Sequence, residues 1–308
     1  MIRRTALALL LAASGTAFAQ AYPSRPITLV VGFPPGGGAD AVARIVVEKL
    51  GRALGQSVVV DNRPGAGTTL ASYFVARAPA DGYTLLLGGA NLYGSDQLLY
   101  KSARYDGAKS FTPISRWSSA PLLVAVRKDL PAQNVKELVA LARSEPEKVS
   151  YSSSGAGVVT HLAGLSFAQA AGLKMLHVPF KGGAPAVQAV AAGLPMVQAG
   201  KMRLLAVTTK NRSPLFPSVP GMQESGVQDL DFTFSFGLFG PAGLPPEVVK
   251  KLFDASLQAL GDPDVKAQLE KQGNVAAPSA SVEEYRNWIL REGAESKALT
   301  ARSGAGLQ

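Results

Sequence analysis

Short apolar runs alternate with helical periodicity along most of this chain, and that rhythm limits the fold more than any other feature. Residues 27–31 read as a strand followed by a helix to about Leu54; residues 58–60 are a strand, 69–78 a helix and 84–87 a strand. Strand–helix–strand repetition predicts a mainly parallel sheet flanked by helices, because parallel strands need a long crossover. After Phe111 the pattern restarts: strands at 122–126, 149–152 and 175–178 alternate with helices at 135–143 and 158–171, and residues 204–208 are the next β-prone run. A second α/β lobe begins there. Pro214, Pro217 and Pro220 make residues 211–221 a surface connection, and residues 232–239 form a long β-prone run. Three helical segments, 246–260, 263–272 and 282–298, finish the chain without strands of their own and are expected to cover the first lobe. The expected fold is α/β in two lobes, residues 20–121 plus 229–308 and residues 122–228. Segments crossing near Pro121 and Phe234 join them around a cleft.

The first twenty residues stand apart from this rhythm. Arg3 and Arg4 precede an apolar run at 6–13, and Ala17-Phe18-Ala19 is a small-x-small cleavage site, so residues 1–19 read as a signal peptide. A membrane anchor would need about 20 apolar residues, and this run breaks at Ser14-Gly15. The mature chain is therefore expected to be soluble and exported. It has no cysteine, which excludes disulfides, a lipid-bearing cysteine and thiolate chemistry. Without Arg3 and Arg4 the formal charge is +7. Its lysines and arginines are scattered and no nucleic-acid motif accompanies them, so small carboxylates or an anionic membrane surface are the better partners.

The loops carry the chemistry. Val30-Val-Gly-Phe-Pro-Pro-Gly-Gly-Gly-Ala-Asp40 runs from a strand into a helix. A phosphate loop would need a lysine and a hydroxyl after the last glycine, and a dinucleotide fingerprint needs G-x-G-x-x-G; neither is present, and Asp40 would repel a pyrophosphate. What remains is a set of backbone N–H groups at a helix N-terminus, suited to a small carboxylate, with Asp40 bonding nearby amides and stiffening the loop. A tight turn without a ligand is the alternative. Ser152-Ser-Ser-Gly-Ala-Gly-Val-Val-Thr-His161 repeats the device in the second lobe, so two helix N-termini could form a clamp. A serine hydrolase using Ser153 or Ser154 with His161 is a competing reading, but the G-x-S-x-G elbow is absent. His161 and His177, the two histidines of the chain, are read as structural. Asp61-Asn-Arg-Pro-Gly-Ala-Gly-Thr-Thr69 is a third strand-to-helix turn with Thr68 or Thr69 as N-cap, and Asn91 follows a strand at the end where parallel sheets meet ligands. No metal-ligand spacing occurs, and no cofactor is expected.

Several ordered motifs then become familiar: Tyr22-Pro-Ser-Arg-Pro-Ile27, Phe33-Pro-Pro-Gly-Gly-Gly-Ala-Asp40, Asn62-Arg-Pro-Gly-Ala-Gly67, Asp81-Gly-Tyr-Thr-Leu85, His177-Val-Pro-Phe-Lys-Gly182 and Gly240-Pro-Ala-Gly243. Together they resemble the Bug receptors, the periplasmic substrate-binding components of tripartite tricarboxylate transporters. The resemblance covers nearly the whole mature chain. It implies a two-lobed Venus-flytrap, type II-like, that closes on a small organic acid such as a di- or tricarboxylate or an acidic amino acid. A periplasmic location and membrane permease partners follow from the same resemblance; a monomer is expected as well and, from the absent catalytic constellation, no catalysis. The ligand-binding residues the resemblance implies are Phe33, Pro35, Gly36, Gly37, Gly38 and Asp40 in the first lobe, with Ser154, Gly155, Ala156, Gly157, Val158 and His161 in the second; Asn91 joins them from its place at the end of its strand.

This chain departs from the family pattern twice. Val158 stands where the second loop usually opens its helix with threonine or serine, which leaves only a backbone N–H. At Gly193-Leu194-Pro195 a strand and turn of the family pattern are missing, so the second lobe is expected to lack one strand. A degenerate receptor that has lost its ligand and acts as an interaction or sensory protein is therefore a further reading.

Overall fold

The computed structural model describes residues 22–146, 148–183, 185–186 and 202–302. The signal-like segment and the Gly193-Leu194-Pro195 junction, with the strand expected to be lost there, lie outside the described residues.

The first lobe is built on a six-stranded sheet. Its first strand, β1 (Ile27–Val31), is flanked by parallel neighbours β2 (Val58–Asn62) and β3 (Thr84–Gly88). The helix between the first two, α1 (Gly38–Leu54), presents Val42, Val46, Leu50 and Leu54 as one buried stripe at four-residue spacing. Each of those side chains contributes roughly 1.5–3 kcal/mol of burial. Gly55, in the left-handed region at φ 74°, ends the helix by donating its N–H back to the last turn. A shorter helix, α2 (Thr69–Ala76), leads into β3, which is followed by two four-residue helices, α3 (Asp96–Leu99) and α4 (Gly107–Ser110).

Within this sheet, the parallel arrangement predicted from the sequence stops at these three strands. An eleven-residue strand, β4 (Phe111–Pro121), and a nine-residue strand, β9 (Thr233–Pro241), join antiparallel, and a two-residue strand, β10 (Val275–Ala276), pairs with β4. The sheet order is β10-β4-β9-β3-β1-β2. Thus the sheet is mixed, and the C-terminal segment does supply a short strand. Hairpin-like geometry explains the difference: the chain that leaves the first lobe on β4 comes back on β9, so the two lie side by side in opposite directions. Three helices cover this lobe, α7 (Pro246–Gly261), α8 (Pro263–Lys271) and α9 (Val282–Arg302). Trp117 on β4 is fully buried and donates from Nε1 to Ser256 Oγ on α7 at 3.1 Å. Lys49 joins α1 to the Asp262 cap of α8 at 2.7 Å.

Beyond Pro121 the chain enters the second lobe. Its antiparallel pair is β5 (Leu123–Arg127) with β8 (Met202–Val207), and its parallel pair is β6 (Ser150–Ser153) with β7 (Leu176–Pro179). Among the described residues two helices, α5 (Val135–Ser144) and α6 (Val159–Ala170), accompany them. Phe167 and Ala171 at the end of α6 share a core with Val135 and Leu138 of α5 and Leu205 and Ala206 of β8. At the crossing between lobes, buried Thr208 ties both connections together. Its Oγ1 donates to the Phe232 carbonyl at 2.7 Å and accepts the Leu122 N–H at 2.9 Å.

Candidate functional site

Gly36 turns the first-lobe loop with φ +80°, a left-handed conformation that glycine adopts without strain. That turn aims its N–H inward at Asp40, whose Oδ2 accepts it at 2.9 Å. The same carboxylate accepts Arg44 Nε at 3.0 and 2.9 Å and Asn62 Nδ2 at 3.0 Å, and Asn62 also donates to the Phe33 carbonyl. Burial by itself would raise the Asp40 carboxyl, but the Arg44, Gly36 and Asn62 donors outweigh it and hold it below the usual range. Asp40 therefore braces the loop from behind, bonding the amide before the helix instead of those in its first turn. Gly37 and Gly38 line the open side, where a side chain on Gly38 would meet only space.

The second-lobe loop has an equivalent brace. Ser154 donates its N–H to Thr160 Oγ1 at 2.9 Å, and the two hydroxyls lie 2.8 Å apart. Gly157 donates its N–H to His161 Nδ1 at 2.9 Å, which places the imidazole proton on Nε2. His161 stacks on His177 with ring centroids 3.9 Å apart, and Tyr151 stacks on His177 from the same cluster. Burial keeps both imidazoles below their ordinary pKa; His177, which also feels His161, is pushed down to about 4. This is a neutral aromatic stack that supports the loop.

The serine that meets an imidazole is Ser153, with Oγ 2.6 Å from His177 Nε2, and not from His161. It is 1% exposed and also bonds Gly155 within the loop. Among the described residues no carboxylate bonds either imidazole, so the third member of a triad is missing. The described residues also hold no cluster of three or more metal-ligating side chains.

A cleft of about 140 Å³ lies between the two loops, lined by Phe33, Pro35, Gly37, Gly38, Ser154 and Thr160. Phe234 and Phe236 of β9 line it as well, and they also line, with Phe33 and Val159, an adjoining cavity of about 570 Å³. Asn91 and Val158 face that larger space. The Asn91 amide nitrogen is already engaged by Thr68 Oγ1 and Asp96. Thr68 stands at the N-cap of α2, but its hydroxyl makes no capping bond to the helix. The remaining predicted residues, Gly36, Asp40, Gly155, Ala156, Gly157 and His161, line neither cavity and hold the loops from behind. Sequence reasoning missed Thr160 and the two phenylalanines; alternation of aromatics at 232, 234 and 236 in a lobe-crossing strand was the available signal.

The family model described as the tripartite tricarboxylate transporter family receptor matches residues 42–304. This chain belongs to that receptor family. Within it, protein BugT of Bordetella pertussis is 30% identical over 94% of this chain and 93% of its own length. Rpa4515 of R. palustris, solved with adipate, is 32% identical with a TM-score of 0.87, covering 93% of this chain and all of that one. MatC from Rhodopseudomonas palustris, solved with bound malate, is 28% identical with a TM-score of 0.83, covering 91% of this chain and all of MatC. The two-lobed periplasmic-binding-protein fold and membership of a solute-binding receptor family follow from these likenesses. In this receptor, Val158 begins α6 without a side-chain cap, while Thr160, two residues further on in the first turn, supplies the hydroxyl that ties down Ser154.

Proposed function

We propose that this receptor captures a small organic carboxylate in the cleft between its glycine loops and presents it to membrane permease subunits of a tripartite tricarboxylate transporter. The observation that carries this reading is the pair of helix N-termini facing one cleft, with Asp40 turned away and neutralised by Arg44. Free first-turn N–H groups and the helix dipole favour an anion there without a lysine or arginine in the lining. Adipate in Rpa4515 and malate in MatC support the ligand class. We further propose a periplasmic, monomeric and non-catalytic protein, with residues 20–121 and 229–308 as one lobe and 122–228 as the other. No described helix is long and apolar enough to cross a membrane.

Calorimetric titration of the mature chain with malate, adipate, succinate, citrate and aspartate tests the reading. Binding of at least one acid is expected, with thermal stabilisation of about 2.7 kcal/mol at a hundredfold excess over Kd. Absence of both heat and stabilisation with all five acids rejects it.

A further inference from the structure

The second-lobe loop is held from the first lobe as well as from its own. Ser95 Oγ donates to the Gly157 carbonyl at 2.7 Å, and Tyr100 OH donates to the Ala156 carbonyl at 2.8 Å; both bonds are buried. Leu99, Tyr100 and Ala156 form a separate apolar cluster that spans the two lobes. Gly157 has φ +73° and lies so close to Leu99 that a Cβ there would collide with its methyl group. The Tyr100 ring is in turn seated on Gly67, where a Cβ would also collide with it. Its position is therefore fixed from the first-lobe side.

These contacts set the direction of the loop amides. A trans peptide points its C=O and the following N–H in opposite directions. With the Ala156 carbonyl aimed at Tyr100, the Gly157 N–H faces away, toward His161. With the Gly157 carbonyl aimed at Ser95, the Val158 N–H at the start of α6 also turns away from α3. Two hydroxyls on one lobe thus orient the peptide planes of the other lobe's ligand loop.

We propose that Ser95 and Tyr100 are positioning residues that form an interlobe latch, gripping the Ala156 and Gly157 carbonyls when the lobes close and fixing the loop in its binding geometry. The role of this loop in carboxylate capture rests on the function proposed above; the latch itself is a statement about lobe closure. Opening the lobes breaks both hydrogen bonds and exposes the Leu99–Tyr100–Ala156 cluster, so the latch favours the closed arrangement even before a ligand contributes.

The chain has no cysteine, so a pair of spin labels at Gln258→Cys and Ala140→Cys, exposed positions on α7 and α5, reports the interlobe distance by pulsed electron resonance. Wild type, Ser95→Ala, Tyr100→Phe and the double variant are measured without ligand and with saturating malate or adipate. The expected result is a short-distance population in wild type that shrinks in each single variant and most in the double. Affinity for any acid that binds should fall about tenfold in the double variant. Distance distributions that superimpose for wild type and all variants overturn the latch. So does a wild type with no short-distance population in any state. If the double variant does not fold, Tyr100→Phe, which keeps the ring, decides by the same comparison. A wild type that closes but binds none of the acids rejects the carboxylate reading alone, and the distances still judge the latch.

Discussion

Gly37 separates approach from architecture at a single residue. Its φ of −85° and ψ of 171° suit any side chain, and a Cβ would meet nothing closer than the Pro34 carbonyl at 3.6 Å. Gly37→Val should therefore fold with little change in melting temperature while weakening carboxylate binding by about tenfold or more, because the side chain blocks backbone approach. Titration of the variant against the acid that binds wild type checks this. Undiminished affinity would place the ligand elsewhere. The loop itself was legible because glycine, proline and aspartate leave strong local signatures. The direction of Asp40 was not, since its partners Arg44 and Asn62 lie four and twenty-two residues away and meet it only in the fold. Thr160 escaped for a related reason: a hydroxyl inside a helix's first turn acts on the preceding loop only once the loop curls back.

At the scale of an element, the β6 loop depends on two histidines remaining neutral. His177 is held down to about 4 by burial and by His161, so the folded state resists a proton that the unfolded chain accepts at its ordinary value of about 6.5. Where the unfolded state binds more protons, stability rises with pH. The His177 contribution is thus complete above about pH 6.5 and is lost as pH falls toward about 4, at no more than about 1.4 kcal/mol per pH unit. Buried Asp96, whose carboxyl is raised to about 6 chiefly by burial, gains stability on protonation over part of the same range and opposes this slope. The measurement is therefore a difference: urea unfolding of wild type and His177→Gln from pH 4 to 7.5, with the variant expected to show the shallower loss on acidification. Parallel curves would mean that His177 is not buried neutral. Among the strands, β1, β2 and β3 could be read directly from apolar runs. The long strand β4 could not, because Pro113 and its serines read as a break; the register shifts beside Pro113 and Arg116 show how the ladder accommodates them.

For the whole molecule, the two lobes should differ in robustness. Strand β1 is almost entirely buried between two parallel neighbours, whereas β6 runs from exposed Ser150 to buried Ser153 and pairs with β7. Hydrogen exchange should be slower at 27–31 than at 150–153, by a factor set by the difference in local opening free energy. Equal protection would show the lobes opening as one unit. Thr208 is where the lobes are stitched together: Thr208→Val leaves the Leu122 N–H and the Phe232 carbonyl without that hydroxyl, at a cost of about 1–3 kcal/mol. A melting curve shifted by less than a degree would mean that water replaces it.

Strand β9 lies between β3 and β4, so the centre of the first sheet is completed by residues made more than a hundred positions after β3. During synthesis, β3 has an open hydrogen-bonding edge until β9, at the start of the last quarter of the chain, has emerged. Folding that waits for such a distant partner is slow, since the intervening loop must close before the pairing stabilises anything. A nascent or truncated chain ending before Thr233 should therefore stay in an unfinished, aggregation-prone state with β3 exposed for pairing with other chains. The same delay keeps the polypeptide threadable until translation is nearly over.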